Sequence, residues 1–180
     1  MVLTRDRIVE AAYGLLREYG LQDISMRRIS SSLDVRPGAL YYHVPNKQDL
    51  LRLVARRALA PLQDAPEPPF ELMLRLRSTL LSLRDGADLV LIAYALDPEL
   101  PPVPALVEGL RADGAGAVQA GERAAVLMRC ALGLAAVEQN ARLFSSSAAD
   151  QGETLYAQAV RAVLEHDPEP QCFEHRSTAV

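Results

Sequence analysis

An all-α fold is predicted by three features of this 180-residue sequence. Apolar residues such as Ile8 and Leu15 recur at helical spacing along almost the whole chain, and no segment shows the strict alternation of a half-buried strand. Residues that favour helix N-termini, namely Thr4, Ser25 and Asn46, stand just before such apolar runs. Segments rich in proline and glycine then separate one run from the next.

The first four helices are delimited by their end signals. Gly20 suits the position after the first helix, and Ser25 suits the N-cap of the second. Pro37 fits the first position of the third helix, because the N–H that proline lacks would have no partner there. Asn46 and Asp49 are spaced like a capping box at the start of the fourth. These signals predict helices over about 5–19, 25–33, 37–43 and 47–60.

Three breaks divide the rest of the chain: "PLQDAPEPPF", "DPELPPVP" and the glycine-rich "DGAGAVQAG". The apolar pattern between them predicts helices over about 69–84, 86–96, 103–112, 122–144 and 150–165. The long helix 122–144 is apolar nearly all round, which indicates burial on several sides. Four acidic residues near the middle of the chain lack histidines at ligand spacing, and we expect them to be solvated or to cap helices; they are Asp85, Asp88, Asp97 and Glu99.

Charge is distributed unevenly along the chain. The formal net charge is −4 over the whole sequence, but residues 1–60 carry ten Lys/Arg and six Asp/Glu, which gives +4. Residues 61–180 carry nine and seventeen, which gives −8. A basic first third on an acidic remainder predicts that a polyanion binds at one end only.

The second and third predicted helices, joined by about three residues, fit a helix-turn-helix whose second helix enters the major groove of DNA. Such a helix presents base-reading groups early and phosphate-binding groups later. Tyr41, Tyr42 and His43 carry groups that hydrogen-bond phosphate. Lys47 lies at the N-terminus of the fourth helix, where free N–H groups offer a second phosphate site. At the start of the second helix, Arg27 and Arg28 add positive charge to the same edge.

The segment "ISMRRISSSLDVRPGALYYHVPNKQDLL", residues 24–51, resembles the DNA-binding domain of the tetracycline-repressor (TetR) family of bacterial regulators. The resemblance covers about residues 4–60. It implies that 37–43 is the recognition helix and that Arg27 contacts a base or a phosphate. It also implies DNA-backbone contacts from four residues: Tyr41, Tyr42, His43 and Lys47. Each has a plainer alternative: Tyr41 as a core residue, His43 as an ordinary surface histidine, and Arg28 as a solvated helix residue.

One departure from the family pattern concerns Arg36, which stands where many relatives have a serine or threonine cap. Arginine has no acceptor oxygen, so either the cap is lost or Arg36 points at DNA. The next residues, Pro37, Gly38 and Ala39, offer only shape and methyl contacts to bases. We therefore expect Arg27, with a contribution from Arg36, to carry most of the direct sequence readout.

The chain is expected to divide into a DNA-binding domain over 1–46, a ligand-binding and dimerisation domain over 47–166, and a flexible tail over 167–180. The resemblance implies an Ω-shaped homodimer whose interface is a four-helix arrangement of the last two long helices from each subunit. Their apolar surface exceeds what one small domain covers. We expect Val160 to lie in this interface, so that a charge placed there gives monomers or aggregates.

The predicted effector is a mostly apolar or aromatic small molecule that binds without metal or any other cofactor. Four residues on the body helices are candidates to orient it: Tyr94, Arg129, Gln139 and Asn140. No histidine lies between His43 and His166, so the histidine-assisted magnesium chelate of the tetracycline repressors does not transfer. The face carrying Arg129 and Asn140 either lines a cavity or allows close helix packing. Arg129 is alternatively a salt-bridge partner inside the dimer interface.

These observations favour a ligand-responsive repressor that binds a pseudo-palindromic operator in double-stranded DNA, and not an enzyme. The alternatives are a DNA-binding dimer without a ligand and an all-helical enzyme, for which the sequence offers no catalytic constellation. The two cysteines form no spaced framework, which indicates a reducing compartment. There is no signal-peptide core and no apolar run of about 18 residues, so we expect a cytoplasmic protein that does not contact membranes.

Overall fold

The computed structural model describes residues 2–63, 67–144 and 148–165. Within those ranges it contains nine α-helices, two 3-10 turns and no strand, which confirms the all-α prediction. The predicted tail over 167–180 lies outside the described residues. The helices are α1 (Arg5–Tyr19), α2 (Met26–Ser32), α3 (Pro37–His43), α4 (Lys47–Leu59), α5 (Pro69–Leu81), α6 (Gly86–Leu96), α7 (Val103–Ala112), α8 (Ala117–Ala141) and α9 (Ala148–Glu165). The 3-10 turns span Leu21–Asp23 and Ala60–Leu62.

The predicted caps of the first helices are confirmed. The Thr4 hydroxyl accepts a hydrogen bond from the Arg7 N–H at 3.3 Å, and the Ser25 hydroxyl accepts one from the α2 backbone at 3.1 Å. At α4 the Asn46 side chain accepts from the Asp49 N–H at 2.8 Å and donates to the Asp49 carboxylate at 3.1 Å. Each cap satisfies a backbone donor that the helix itself leaves without a partner.

Two predicted helices differ from the structure by three residues or more at their ends. The helix predicted over 69–84 ends at Leu81, because Asp85 takes a left-handed conformation with φ 55° in the turn that follows. The helix predicted over 122–144 is α8, which begins five residues earlier and ends three residues earlier. Its first turns contain the fully buried Ala120 and Ala124. Burial on this face outweighs the roughly 1 kcal/mol that a glycine such as Gly121 costs inside a helix.

We call α1–α3 the head and α5–α9 the body. In the body, α8 is central, since it packs against α5, α6, α7 and α9. Between head and body, α4 packs against both α1 and α6. The predicted boundary after residue 46 assigns α4 to the body alone, whereas its buried residues are shared with the head. Among the helices that the structure describes, none combines the length and the apolar character that a bilayer crossing requires.

Candidate nucleic-acid interface

The geometry of α2 and α3 is fixed by a tight turn. Asp34 adopts φ 53°, a left-handed conformation that aspartate tolerates better than most residues. The Val35 N–H then donates to the Ser30 carbonyl at 3.0 Å, which closes the turn against the end of α2. Ile29 of α2 and Leu40 of α3 are fully buried in the head core. These contacts leave the opposite side of α3 facing outward.

The first turn of α3 is exposed and sterically open. Pro37, Gly38 and Ala39 are all exposed, and a Cβ added at Gly38 would meet no atom within 4 Å. Arg36, the N-cap residue, is also exposed and makes no capping hydrogen bond with its side chain. The side chain of Arg36 therefore leaves the α3 N-terminus uncapped. A base edge or phosphate has room to approach the backbone here.

The two tyrosines of α3 both face solvent. Tyr42 is 88% exposed and Tyr41 is 49% exposed, so neither is the core tyrosine that was the alternative for Tyr41. The Tyr42 and His43 rings meet edge to face with centroids 5.3 Å apart. The His43 carbonyl accepts a hydrogen bond from Arg5 Nε at 3.4 Å, which ties the end of α3 to α1. The two phenol groups and the imidazole therefore lie in the C-terminal part of α3.

Lys47 is the first residue of α4, shortly after the end of α3. It is exposed at the first position of the helix, directly after the Asn46 cap. Its ammonium group therefore lies at the positive end of a 13-residue helix. We call the outward residues of α3 and its flanks the α3 face; it comprises Arg36, Pro37, Gly38, Ala39, Tyr41, Tyr42, His43 and Lys47.

The adjacent arginines of α2 differ in their surroundings. Arg28 forms an ion pair with Asp23, and its guanidinium lies 4.2 Å from the centre of the Tyr19 ring. It is thus engaged in holding α2 to the end of α1. The Arg27 side chain is exposed, and within the described part of the chain no ion pair or hydrogen bond is seen for its guanidinium. Arg27 is the better placed of the two to meet DNA.

The four predicted ligand residues do not converge on one cavity. Tyr94 is buried in α6, and the guanidinium of Arg129 lies 6.0 Å from its ring centre, although Arg129 itself is exposed. Burial raises the pKa of the Tyr94 phenol, and the nearby Arg129 opposes that shift. Asn140 is exposed and donates to the Ala136 carbonyl of its own helix at 2.8 Å. Both polar ends of the Gln139 amide are bound to α6.

The face of α8 that carries Arg129 and Asn140 lies on the outside of the subunit. Sequence alone leaves open whether it lines a cavity, and the structure places it on the surface beside an exposed face of α9. Val137 is 71% exposed and Leu155 is 56% exposed, so apolar side chains lie on the outer side of both helices. We call this surface the α8–α9 face; it comprises Val126, Arg129, Gly133, Val137, Asn140, Leu155, Gln158 and Ala162.

Val160 does not belong to this surface. It is buried within its own subunit, so the prediction that Val160 lies between subunits is wrong. The reason is helical periodicity: Val160 lies four residues after Tyr156, whose side chain is fully buried and donates to the Met73 carbonyl at 2.8 Å. The apolar pattern of α9 indicates the face that packs against the body of the same subunit. A second, smaller face, which includes Leu155, is exposed.

The head and the start of α4 match the model of a known protein family. The model of "Bacterial regulatory proteins, tetR family" matches residues 8–54, which runs from α1 into α4. The chain is 34% identical over 94 residues to the tetracycline repressor protein class D of Escherichia coli. That match covers 47% of this chain and 43% of the repressor, so it spans less than half of the curated relative.

Solved structures match over nearly the whole chain. BioQ, solved with its double-stranded DNA operator, is 31% identical with a TM-score of 0.75, and the match covers 92% of this chain and all of that one (100%). ActR of Streptomyces coelicolor, a TetR family protein solved with (S)-DNPA, is 26% identical with a TM-score of 0.74, over 91% of this chain and 98% of that one. The head matches the family model and the full-length likeness extends to the body. The chain therefore belongs to the tetR family of bacterial regulatory proteins.

Proposed function

We propose that the protein is a transcriptional repressor that binds a pseudo-palindromic DNA operator as a homodimer and is released by a small apolar molecule. The observation that carries the DNA-binding part is the α3 face, where groups able to bind bases and phosphates lie exposed on a rigid, buried framework. The basic first third of the sequence, at +4, provides the matching charge. The similar BioQ was solved with a DNA operator, which supports this assignment.

The residues of the α3 face and Arg27 of α2 take different roles. Tyr41, Tyr42, His43 and Lys47 donate to phosphate oxygens and fix the position of α3 on the duplex. Arg27 and Arg36 reach base edges, where a guanidinium distinguishes guanine by a bidentate contact. Pro37, Gly38 and Ala39 allow close approach to the groove. The DNA-binding unit is residues 1–46, and the remainder of the chain dimerises and receives the effector.

The dimer forms through the α8–α9 face. This face places apolar and small side chains outside two long helices, and a second copy covers them in a symmetric contact. Small residues such as Gly133 and Ala162 let the helices of the two subunits approach closely. Dimerisation places two α3 helices for successive major grooves of one operator.

The effector binds in the apolar interior of the body, among α5, α6, α7 and α8. Tyr94 provides a polar group on a buried ring, and Arg129 assists from the subunit surface. The similar ActR was solved with a small molecule, which supports an effector site in a body of this fold. No histidine lies between positions 43 and 166, so the effector binds without the metal chelate that a pocket histidine would assist.

A DNA-binding dimer without an effector is the second candidate. It is favoured by one observation: Gln139 and Asn140 are bound to neighbouring helix groups, and Arg129 and Asn140 face outward. Under this alternative Arg129 serves the subunit interface alone and has no part in effector binding. An enzymatic role has no such observation in its favour.

The experiment begins with selection of a preferred operator from randomised DNA, followed by titration at several salt concentrations. We expect a two-fold symmetric site and a steep fall of affinity with salt, because each neutralised phosphate releases counterions. A screen of hydrophobic compounds by thermal shift then identifies effectors, and their release of the operator is measured with and without chelator. Absence of any selected site defeats the proposal. Release that requires magnesium defeats the effector part alone.

A further inference from the structure

Asp85 occupies the N-cap position of α6 but does not cap that helix. Its backbone is left-handed, with φ 55°, and its side chain makes no hydrogen bond to the α6 backbone. Aspartate at an N-cap normally accepts from an N–H of the first turn of its own helix. Aspartate tolerates positive φ better than most residues, but the conformation still costs free energy and persists where the surroundings favour it.

The Asp85 carboxylate is bound instead by the head. One oxygen accepts a hydrogen bond from the Leu21 N–H at 2.8 Å, across 64 positions of sequence. Leu21 opens the 3-10 turn between α1 and α2, directly after Gly20. Gly20 has φ 90°, and a Cβ added there would overlap the Asp85 carboxylate and lie 3.1 Å from Arg84 Nε. Glycine at this position thus permits the close approach of head and body.

The vacated cap of α6 is filled from α8. Gln139 Oε1 accepts from the Ala87 N–H at 2.9 Å, and Gln139 Nε2 donates to the Asp88 carboxylate at 2.7 Å. Gln139 thus supplies the acceptor that an N-cap residue normally provides to the first turn of α6. The Asp85 carboxylate is bound to the Leu21 N–H instead. The connection therefore runs from α8 through the start of α6 to the 3-10 turn of the head.

The other end of α6 is bonded to α4. Asp97, directly after α6, accepts from Arg56 Nε at 2.9 Å and from Arg56 Nη2 at 2.6 Å, and it lies 3.6 Å from Arg52. Both arginines are on α4. The two attachments are separated by the length of α6, roughly 16 Å at 1.5 Å per residue. The start of α6 is thus bonded directly to the head at Leu21, and its end is bonded to α4, which packs against α1 of the head.

We infer that Asp85 is a positioning residue for operator recognition: its bond to the Leu21 N–H fixes the orientation of the head on the body. This inference rests on the proposed function, because head orientation sets the spacing between the two α3 helices of a dimer. Asp85 touches no DNA in this role. Its contribution is to restrict the spacing of half-sites that the dimer accepts.

The test uses the full-length protein and an operator selected by it, with variants of that operator carrying one or two extra base pairs between half-sites, and an isolated half-site. Asp85→Gly removes the acceptor while relieving the strained backbone. We expect the variant to bind the original operator up to roughly tenfold more weakly, because a smaller fraction of the free protein then holds the head in the binding orientation. It should bind the isolated half-site as the wild type does and discriminate less between spacings.

Asp85→Asn is the matched control, because asparagine tolerates positive φ and its carbonyl oxygen still accepts from the Leu21 N–H. We expect it to keep wild-type spacing discrimination. Amide hydrogen exchange at Leu21 should accelerate in Asp85→Gly but not in Asp85→Asn. Unchanged spacing discrimination despite faster exchange at Leu21 would overturn the inference, and so would an equal loss on the half-site. If the wild type selects no DNA at all, the proposed function itself fails, whatever the variants do.

Discussion

The Arg77 guanidinium of α5 and the Glu138 carboxylate of α8 form a bidentate ion pair inside the body. Arg77 Nε donates to Glu138 Oε2 at 2.9 Å, and Nη2 donates to Oε1 at 2.6 Å. The two residues are only 7% and 4% exposed. Arg142 pairs with the same carboxylate at 2.6 Å, and Glu153 of α9 lies 3.2 Å from Arg77. Three helices of the body are therefore joined at one buried point.

Glu138→Ala is expected to destabilise the protein by about 3–5 kcal/mol, because it leaves the buried Arg77 charge without its main partner. Urea unfolding at fixed protein concentration measures the change. The matched control is Glu108→Ala, which breaks an exposed pair with Arg111 at 3.9 Å and should cost less than about 1 kcal/mol. Equal costs for the two variants would contradict the role of burial.

Gly152→Ala should destabilise the protein although alanine is normally the better helix former. A Cβ at Gly152 would lie 2.7 Å from Glu138 Oε2, so either α9 or the buried carboxylate has to move. Gly14→Ala is the control, since that exposed α1 glycine has no atom within 4 Å of an added Cβ. It should gain roughly 0.5–1 kcal/mol. Opposite signs in thermal unfolding confirm the prediction, and a stabilised Gly152→Ala would refute it.

Arg27→Ala and Arg28→Ala should affect DNA binding in different ways. Loss of Arg27 should cost about 1–3 kcal/mol in operator affinity and relax base choice at one position in each half-site. Loss of Arg28 should leave base preference unchanged and lower the stability of the head, because Arg28 is held by Asp23 and Tyr19. Selection from randomised operators, together with unfolding curves, separates the two effects. A variant of Arg27 with full affinity and unaltered preference would remove it from the readout.

The head was predictable from sequence because its determinants are local. Caps at Thr4, Ser25 and Asn46 act within three residues of themselves, and the turn before α3 is equally short. The orientation of α8 was harder to predict from the sequence, because the pattern of a helix that is apolar nearly all round does not indicate which face meets solvent. For this reason the sequence leaves open whether the face that carries Asn140 lines a cavity. The structure places Asn140 on the outside of the subunit.

Contacts between distant elements left no signal in the sequence. The bond between Asp85 and the Leu21 N–H joins residues 64 positions apart, and the pair of Arg77 and Glu138 spans 61 positions. The sequence predicts a solvated or helix-capping role for Asp85. It does not identify the Leu21 N–H as the partner of the Asp85 carboxylate.

Gln139→Leu tests whether this residue caps α6 or binds an effector. If it is a cap, the variant should lose about 1–3 kcal/mol of stability in the absence of any ligand, because the part-buried Ala87 N–H loses its acceptor. Gln48→Leu, at an exposed position of α4, should change stability by no more than about 0.5 kcal/mol. Unfolding by urea without ligand is the measurement. Unchanged stability with impaired effector response would instead support the role in ligand binding that the sequence predicts.

Val137→Glu should convert the proposed dimer into folded monomers. Val137 is exposed on the α8–α9 face of the isolated subunit, so a charge there is harmless to the monomer but would be buried without a partner between two copies. Val160→Glu should instead unfold the subunit, because Val160 is buried inside it. Val2→Glu, exposed at the start of the head, is the control and should remain dimeric. Sedimentation velocity gives the association state and circular dichroism gives the helix content. A Val137→Glu protein that stays dimeric at low concentration would place the subunit interface elsewhere, since a close four-helix contact leaves no room for an unpaired carboxylate at its centre.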